Sequence, residues 1–315
     1  MPEVSVIMNC YNGERYLREA IDSVINQSFT DWELIFWDNV STDTSAAIVA
    51  SYKDPRIRYF RGQTNVPLGH ARKLALAEAR GAWVGFLDTD DLWQPSKLAV
   101  QLAAVSGGDD LLCYAGIVEM EPDGKRIREL LPRYPTGDMF EAQLNQFDIN
   151  MVTPLIRRAA LIEHDITFDP EVTASEEYNL FIRLLSKGTA CAVPAILGAW
   201  RISPGSLTDR AIGRLHVERR YTLDQVQREN PGIALRFPAA FREAYARGDY
   251  YEARYQMAQG RRRSAFRLLI RNAAVDVRYA ALAPATLVPG MWQMIHGNFL
   301  KRKMLPMLLG IARYK

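Results

Sequence analysis

The chain has little cysteine. Only Cys10, Cys113 and Cys191 occur in 315 residues, with no CxxC spacing and no accompanying histidine cluster. That pattern offers no thiolate metal site and suits a reducing compartment. Long apolar runs are also missing. The best candidate, Tyr279 to Leu300, is interrupted by Pro284 and by Pro289-Gly290, so a membrane-spanning helix is not expected. The opening residues Met1-Pro2-Glu3-Val4-Ser5-Val6-Ile7 carry no basic stretch leading into an apolar core, and no signal peptide is readable there. No GxGxxG follows the first strand-like segment, where the chain has Asn9-Cys10-Tyr11-Asn12-Gly13 instead, which argues against a dinucleotide-dependent oxidoreductase. The Gly/Arg/Lys-rich phosphate loop that a nucleotidyltransferase would want near its start is absent too.

An excess of one charge sign is lacking overall. Thirty-nine Lys+Arg against 36 Asp+Glu leave a net +3, too little to make nucleic acid the partner of the whole molecule. The distribution is uneven, however. Tyr251 to Lys315 holds 12 basic and 2 acidic residues, an excess of +10, which leaves about −7 for the first 250 residues. The acidic and basic parts should therefore meet different partners. Apolar residues at 48% and charged residues at 24% are ordinary for a globular protein. The length suits one large α/β domain with an appendage, or two domains.

What is present is an alternation of strand and helix signals. Val4–Met8 reads as a buried strand, and apolar residues at 17, 20, 21, 24 and 25 make one face of a helix. Glu33–Trp37, Ile57–Phe60 and Trp83–Leu87 read as further strands, with helices through 46–52 and 69–79 between them. This rhythm predicts an α/β fold, a mainly parallel twisted sheet of Rossmann-like character flanked by helices. Ligands in such sheets bind beyond the C-terminal strand ends, where Asn9, Asp38 and Asp88 to Asp91 fall. Farther on, 111–114 and 117–120 look like two strands, 178–185 like a short helix and 190–202 like an extended segment. After Pro204 the chain becomes helical and Arg-rich, with an αα-hairpin over 239–273. We place the boundary near 210: residues 1–210 as the α/β domain and 211–315 as a basic C-terminal helical extension.

Asp88-Thr89-Asp90-Asp91 is the strongest local signal. Three carboxylates within four residues at a strand end repel one another unless a cation or hydrogen-bond donors compensate them. Hard divalent cations such as Mg²⁺ and Mn²⁺ take oxygen ligands, typically one or two carboxylates together with substrate phosphates. Four ordered blocks give this motif its context: Val6–Gly13, Ala20–Phe29, Trp37–Asp43 and Gly81–Asp91. Together they resemble the family 2 inverting glycosyltransferases of GT-A fold, strongly over residues 3–105 and more weakly over 150–208.

The resemblance implies a site, residue by residue. Asn9, Tyr11 and Asp38 would hold the nucleotide base, and Arg72 would lie near the base or the diphosphate. Asp90 would be the direct ligand of Mn²⁺ or Mg²⁺, with Asp88 as ribose contact and second metal ligand and Asp91 in support. Glu177, in Ser175-Glu176-Glu177-Tyr178, would be the base that deprotonates the acceptor, with Glu176 as the fallback. Arg201, in Trp200-Arg201-Ile202-Ser203, would face phosphate, since the histidine common in that segment is Ser203 here. Two further departures stand out: Asn39-Val40 where the family has Asp-Gly, and Glu177 where it has Asp.

The implied function is metal-dependent inverting transfer of a sugar from a nucleotide sugar, UDP being favoured, to a glycan or lipid-linked glycan. The alternative is a degenerate relative that only binds glycans or partners. The basic tail, with Arg261-Arg262-Arg263, Arg267, Arg271, Met291-Trp292 and Lys301-Arg302-Lys303, suggests attachment to an anionic membrane surface. That gives a cytoplasmic protein, peripheral at the inner face of the membrane. Packing of the tail on the rest of the chain or in a homo-oligomer stays open, and no nucleic acid partner is expected.

Overall fold

Strand β1 (Val4–Cys10) takes the middle of the sheet because all seven of its residues can be buried. A run such as Val4-Ser5-Val6-Ile7-Met8, covered on both faces, is the signature of a parallel strand. It pairs in parallel with β2 (Trp32–Asp38) on one side and with β4 (Trp83–Phe86) on the other, and β3 (Ile57–Arg61) continues the parallel set beyond β2. β3 is an edge strand and alternates exposed with partly covered residues. Helix α1 (Leu17–Ile25) turns Leu17, Ala20, Ile21 and Val24 inward, the face its spacing predicts. Helices α2 (Ser45–Ser51) and α3 (Leu68–Ala77) make the next two crossovers.

Beyond β4 the sheet becomes mixed. Its order is β3-β2-β1-β4-β8-β6-β9-β5, with β7 (Arg126–Leu130) added on β6 (Leu112–Met120). β8 (Leu155–Arg157) runs antiparallel to both β4 and β6, and β5 (Leu92–Trp93) runs antiparallel to β9 (Ala190–Arg201). The parallel character foreseen for the sheet thus holds for β1 to β4 and returns in the β6–β9 pair, with antiparallel pairs around them. For β7 the reason is local: the tight turn at 122–124 joins it to β6, and a short turn can only make an antiparallel pair. The two strands expected at 111–114 and 117–120 are one, because Ala115 and Gly116 stay extended and pair with β9 across a register shift. Between these strands lie α4 (Lys97–Ala104), α5 (Phe140–Asn145), α6 (Arg158–Glu163) and α7 (Glu176–Leu185).

This is a computed structural model that describes residues 1–202 and 212–296. The chain divides into two compact units, Met1–Pro204 and Gly205–Lys315. The first holds the sheet and a core that includes Val6, Met8, Leu34, Phe36, Leu87 and Trp93. The second is helical, with long helices at Ile212–Glu229 and Pro238–Ala258 followed by Arg262–Ile270, Val277–Leu287 and Pro289–His296. Its core gathers Tyr250, Leu269, Tyr279, Leu282 and Trp292. Buried Asp249 is satisfied there by Arg220, Arg271 and Asn272. Among the described residues no helix is long and apolar enough to cross a membrane. Lys301-Arg302-Lys303 and Ser203 lie outside the described residues.

Candidate active site

Three neighbouring parallel strands, β2, β1 and β4, end side by side. The register pairs Asn9 with Trp37 and Cys10 with Asp38, while Leu87 donates its backbone N–H to the Ile7 carbonyl and so delivers Asp88 to the same rim. The chain leaves β1 toward β2 and returns on the opposite side as β4. A reversal of that kind opens a crevice beyond the strand ends, the usual ligand position in open α/β sheets. Asn9 is buried there, and its side-chain NH₂ has no hydrogen-bond partner among the described residues. Tyr11 stands exposed beside it.

The loops around the crevice are clasped to one another. The side-chain oxygen of Asn12 accepts the Thr42 N–H at 2.8 Å, and the Gly13 N–H donates to Ser45 Oγ at 3.1 Å. Gly13 must lack a side chain, since a Cβ there would fall 2.7 Å from Thr89 Oγ1. The first loop therefore lies directly against the Asp88–Asp91 loop.

The acidic residues are organised by two arginines. Arg72, on α3, is buried and donates to Asp88 Oδ1 at 2.7 Å and to Glu176 Oε1 at 2.9 Å. It bridges the strand-end aspartate to the first turn of α7. Arg201, at the end of β9, is also buried. Its guanidinium donates to the carbonyls of Asp90 (2.9 Å) and Pro122 (3.0 Å) and to Glu19 (2.9 Å), and lies 4.1 Å over the Tyr16 ring. Its backbone N–H donates to Asp91 Oδ1 at 2.8 Å. With these partners Arg201 ties the aspartate loop to β9 and α1.

Three carboxyls keep unusual proton affinities. Burial, then the charge of Asp88, pushes Asp90 up to about 6. Burial and the charges of Asp90 and Asp88 raise Asp91 as well. Burial and the adjacent Glu176 raise Glu177 to about 7, with Arg72 pulling the other way. Asp88, Asp90, Asp91, Glu176 and Glu177 thus form one cluster of interacting charges with Arg72 and Arg201. Such an excess of carboxylate leaves room for a cation. Among the described residues no group of three His, Cys, Asp or Glu side chains forms a metal cage.

A sequence profile of glycosyl transferase family 2 matches residues 5–164, just over half of the chain. The chain belongs to glycosyl transferase family 2. Over 265 residues it is 26% identical to the succinoglycan biosynthesis protein ExoO of Rhizobium meliloti, covering 78% of this chain and 75% of that one. It is 26% identical to the UDP-Glc:alpha-D-GlcNAc-diphosphoundecaprenol beta-1,3-glucosyltransferase WfgD of Escherichia coli, covering 67% of this chain and 82% of that one. Its fold is similar to that of S. aureus TarS residues 1–349, with a TM-score of 0.67 and 17% identity over 92% of this chain and 88% of that one. TarS 1–349 is also solved in complex with UDP-GlcNAc.

Within this family the departure at Asn39-Val40 has a structural expression. Val40 has φ +68°, a left-handed conformation that a β-branched residue adopts only under strain. Asn39 holds it in place: its side chain donates to the Val66 carbonyl at 2.7 Å and accepts the Val66 N–H at 3.2 Å. Val40→Gly should raise stability by about 1 kcal/mol, the released strain exceeding the entropy that glycine adds to the unfolded chain. Chemical denaturation of the two proteins measures it, and a midpoint that falls would refute the strain.

Asp38, expected to hold the base, ends β2. It is 0% exposed and already accepts the Ser41 N–H at 2.6 Å, the Tyr59 hydroxyl at 2.6 Å and the Arg61 guanidinium at 2.8 Å. The groups it orients, Tyr59 and Arg61, are the ones that reach the surface. Sequence reasoning missed both of these, together with Glu19, Tyr16 and Pro122 around Arg201. Arg61 ends a strand beside Asp38 and could have been found from the register. Glu19 is 182 positions away from Arg201, and no local signal links them.

Proposed function

We propose that the chain transfers a hexose or hexosamine, with inversion, from a nucleotide sugar to a glycan or lipid-linked glycan in surface polysaccharide synthesis. UDP is the favoured nucleotide. One observation carries the reading: Arg72 ties the strand-end Asp88 to the head of α7, so that donor-side carboxylates and a carboxyl of raised proton affinity share one charged cluster. The names of ExoO and WfgD support polysaccharide and lipid-linked products, and WfgD supports UDP. A chain serving such acceptors works from the cytoplasmic side, attached peripherally to the membrane.

In this reading Asn9 and Tyr11 receive the base, Asn9 offering its unpaired NH₂ and Tyr11 its ring face. Asp38 acts through Tyr59 and Arg61, which it orients beside them. Asp88 and Asp90 fit a divalent cation, Mn²⁺ or Mg²⁺: Asp88 shares its charge with Arg72, the charge of Asp88 helps to raise Asp90, and the remaining ligands would be diphosphate oxygens and water. When bound, that cation neutralises the departing diphosphate. Arg201 keeps Asp90 and Asp91 in place through backbone and carboxylate contacts. Glu177 takes the proton of the acceptor hydroxyl as its oxygen attacks the anomeric carbon. Glu176 is held by Arg72 and serves to position that residue rather than to accept the proton.

The test is thermal shift with UDP-sugars, with and without Mn²⁺. Bound donor should stabilise the protein by mass action, in a metal-dependent way. Asp90→Ala should lose that dependence and lower donor affinity at least tenfold. Equal shifts in both proteins would remove Asp90 from the metal site.

A further inference from the structure

The helix Val277–Leu287 carries one charged residue, Arg278, paired with Asp276 just ahead of it, and is otherwise almost wholly apolar. Its inward face is accounted for: Tyr279, Leu282, Ala283 and Ala285 lie buried in the core of the second unit. Its outward face is not. Val277 is 74% exposed, Ala281 and Pro284 are exposed, and the chain continues through Val288 at 53% to Met291 and to Met294 at 60%. From Tyr279 to Leu300, 22 residues contain no Asp, Glu, Lys or Arg. An apolar helix face that the core leaves uncovered calls for another apolar phase. Scattered surface leucines need no explanation, but a row of exposed apolar side chains from Val277 to Met294 does.

The neighbouring helix, Arg262–Ile270, packs its Ala265, Leu268 and Leu269 into the same core. It exposes Arg262, Arg263 and Arg267, with Arg261 just before it. Lys301-Arg302-Lys303 follows the uncharged segment in sequence. An apolar segment bracketed by cationic clusters complements one surface above others: a bilayer whose headgroups are anionic and whose acyl boundary accepts methionine and valine side chains. A second copy of the chain fits less well, since joining two such segments would bring two arginine clusters together.

We propose that Val277, Ala281, Pro284, Val288, Met291 and Met294 form a membrane-seating face, entering the headgroup region of an anionic bilayer while the flanking arginines engage its phosphates. This deepens the proposed peripheral attachment, on which it rests, by naming the surface that makes it, and it does not depend on the transfer reaction.

Flotation of the full chain with vesicles tests it, without donor or acceptor. Binding is expected to vesicles containing phosphatidylglycerol, to fall at least tenfold on pure phosphatidylcholine, and to fall again in 0.5 M salt. Val288→Asp with Met294→Asp should lower binding to the anionic vesicles at least tenfold, with an unchanged unfolding temperature because both side chains face solvent. Arg262→Ser with Arg263→Ser should also lower it about tenfold. Wild-type protein that stays unbound overturns the proposal, as do aspartate variants that bind like wild type. So does light scattering that shows a wild-type dimer and monomeric aspartate variants, which would make the face a self-contact. None of these outcomes bears on donor binding or transfer.

Discussion

Glu177→Gln should yield a protein that still binds donor and cation, transfers sugar at least about 100-fold more slowly, and unfolds at a higher temperature above pH 7. The rate effect follows from removal of the carboxylate proposed as proton acceptor, a contribution that typically spans 10²–10⁴-fold. The stability effect follows from the same carboxyl. Burial and the neighbouring Glu176 lift Glu177 to about 7 in the folded chain, against 4.5 as its ordinary value. The folded state therefore binds more protons than the unfolded state between those limits, and stability falls as pH rises through them. Above pH 7 the ionised form costs about 1–3 kcal/mol, after allowance for a half-buried side chain that water screens. Glutamine carries no such cost, so the variant should gain stability at pH 8 and show no gain at pH 4.

The rate of the wild type should follow the ionised fraction of Glu177, rising with pH and levelling off above about 7, while Glu177→Asp keeps partial activity. Cation and diphosphate near Asp88 would draw the apparent value somewhat lower, since Asp88 is one of the charges that raise it. Two measurements decide the matter: single-turnover transfer against pH, and calorimetry of both proteins at pH 4 and pH 8. Transfer retained in Glu177→Gln would dismiss Glu177 as the base. An unchanged stability difference between the two pH values would dismiss the raised carboxyl. A catalytically idle relative has no reason to maintain a carboxyl that destabilises its fold, so the combined result also separates an enzyme from a binding module.

The parallel half of the sheet was legible because each of its strands is a short apolar run closed by a polar residue, and each helix keeps its period. The same reading brought Asn9, Asp38 and Asp88 to one rim, because strand ends in a parallel sheet share an edge. The mixed half was less legible. β8 is three residues long, and β6 crosses Ala115-Gly116 without a break, so neither has a pattern that distinguishes it from loop. The partners of the arginines were invisible for a different reason. A buried guanidinium is satisfied by whatever the fold brings near it, such as Glu176 for Arg72 and the Asp90 carbonyl for Arg201, and sequence spacing carries no trace of those meetings. The family resemblance, rather than any local pattern, made both arginines ligand-binding candidates in sequence. In the structure they hold those acids in position.

Lys97 is the largest violation of local rules outside the site, and Lys97→Met should stabilise the protein by about 2–4 kcal/mol at neutral pH. Lys97 opens α4, is 0% exposed, and its ammonium has no hydrogen-bond partner among the described residues. It lies 3.9 Å over the Trp93 ring. A cation in the first turn of a helix also opposes the helix dipole. Burial lowers its proton affinity to about 7 from 10.5, with the Cys113 thiol opposing. Between those values the unfolded chain binds more protons than the folded one, so stability rises with pH across the window and the penalty is fullest below 7. Methionine fills much of the space of the lysine stem without charge and keeps a favourable contact with the tryptophan, although the cation–π attraction of up to about 2 kcal/mol is lost. In a unit of this size the net gain corresponds to roughly 4–12 °C in unfolding temperature. The advantage should shrink toward pH 10, as wild-type lysine becomes neutral in both states. A variant less stable than wild type at pH 7 would mean that the buried ammonium is compensated, and that Trp93 and the helix end are built around its charge.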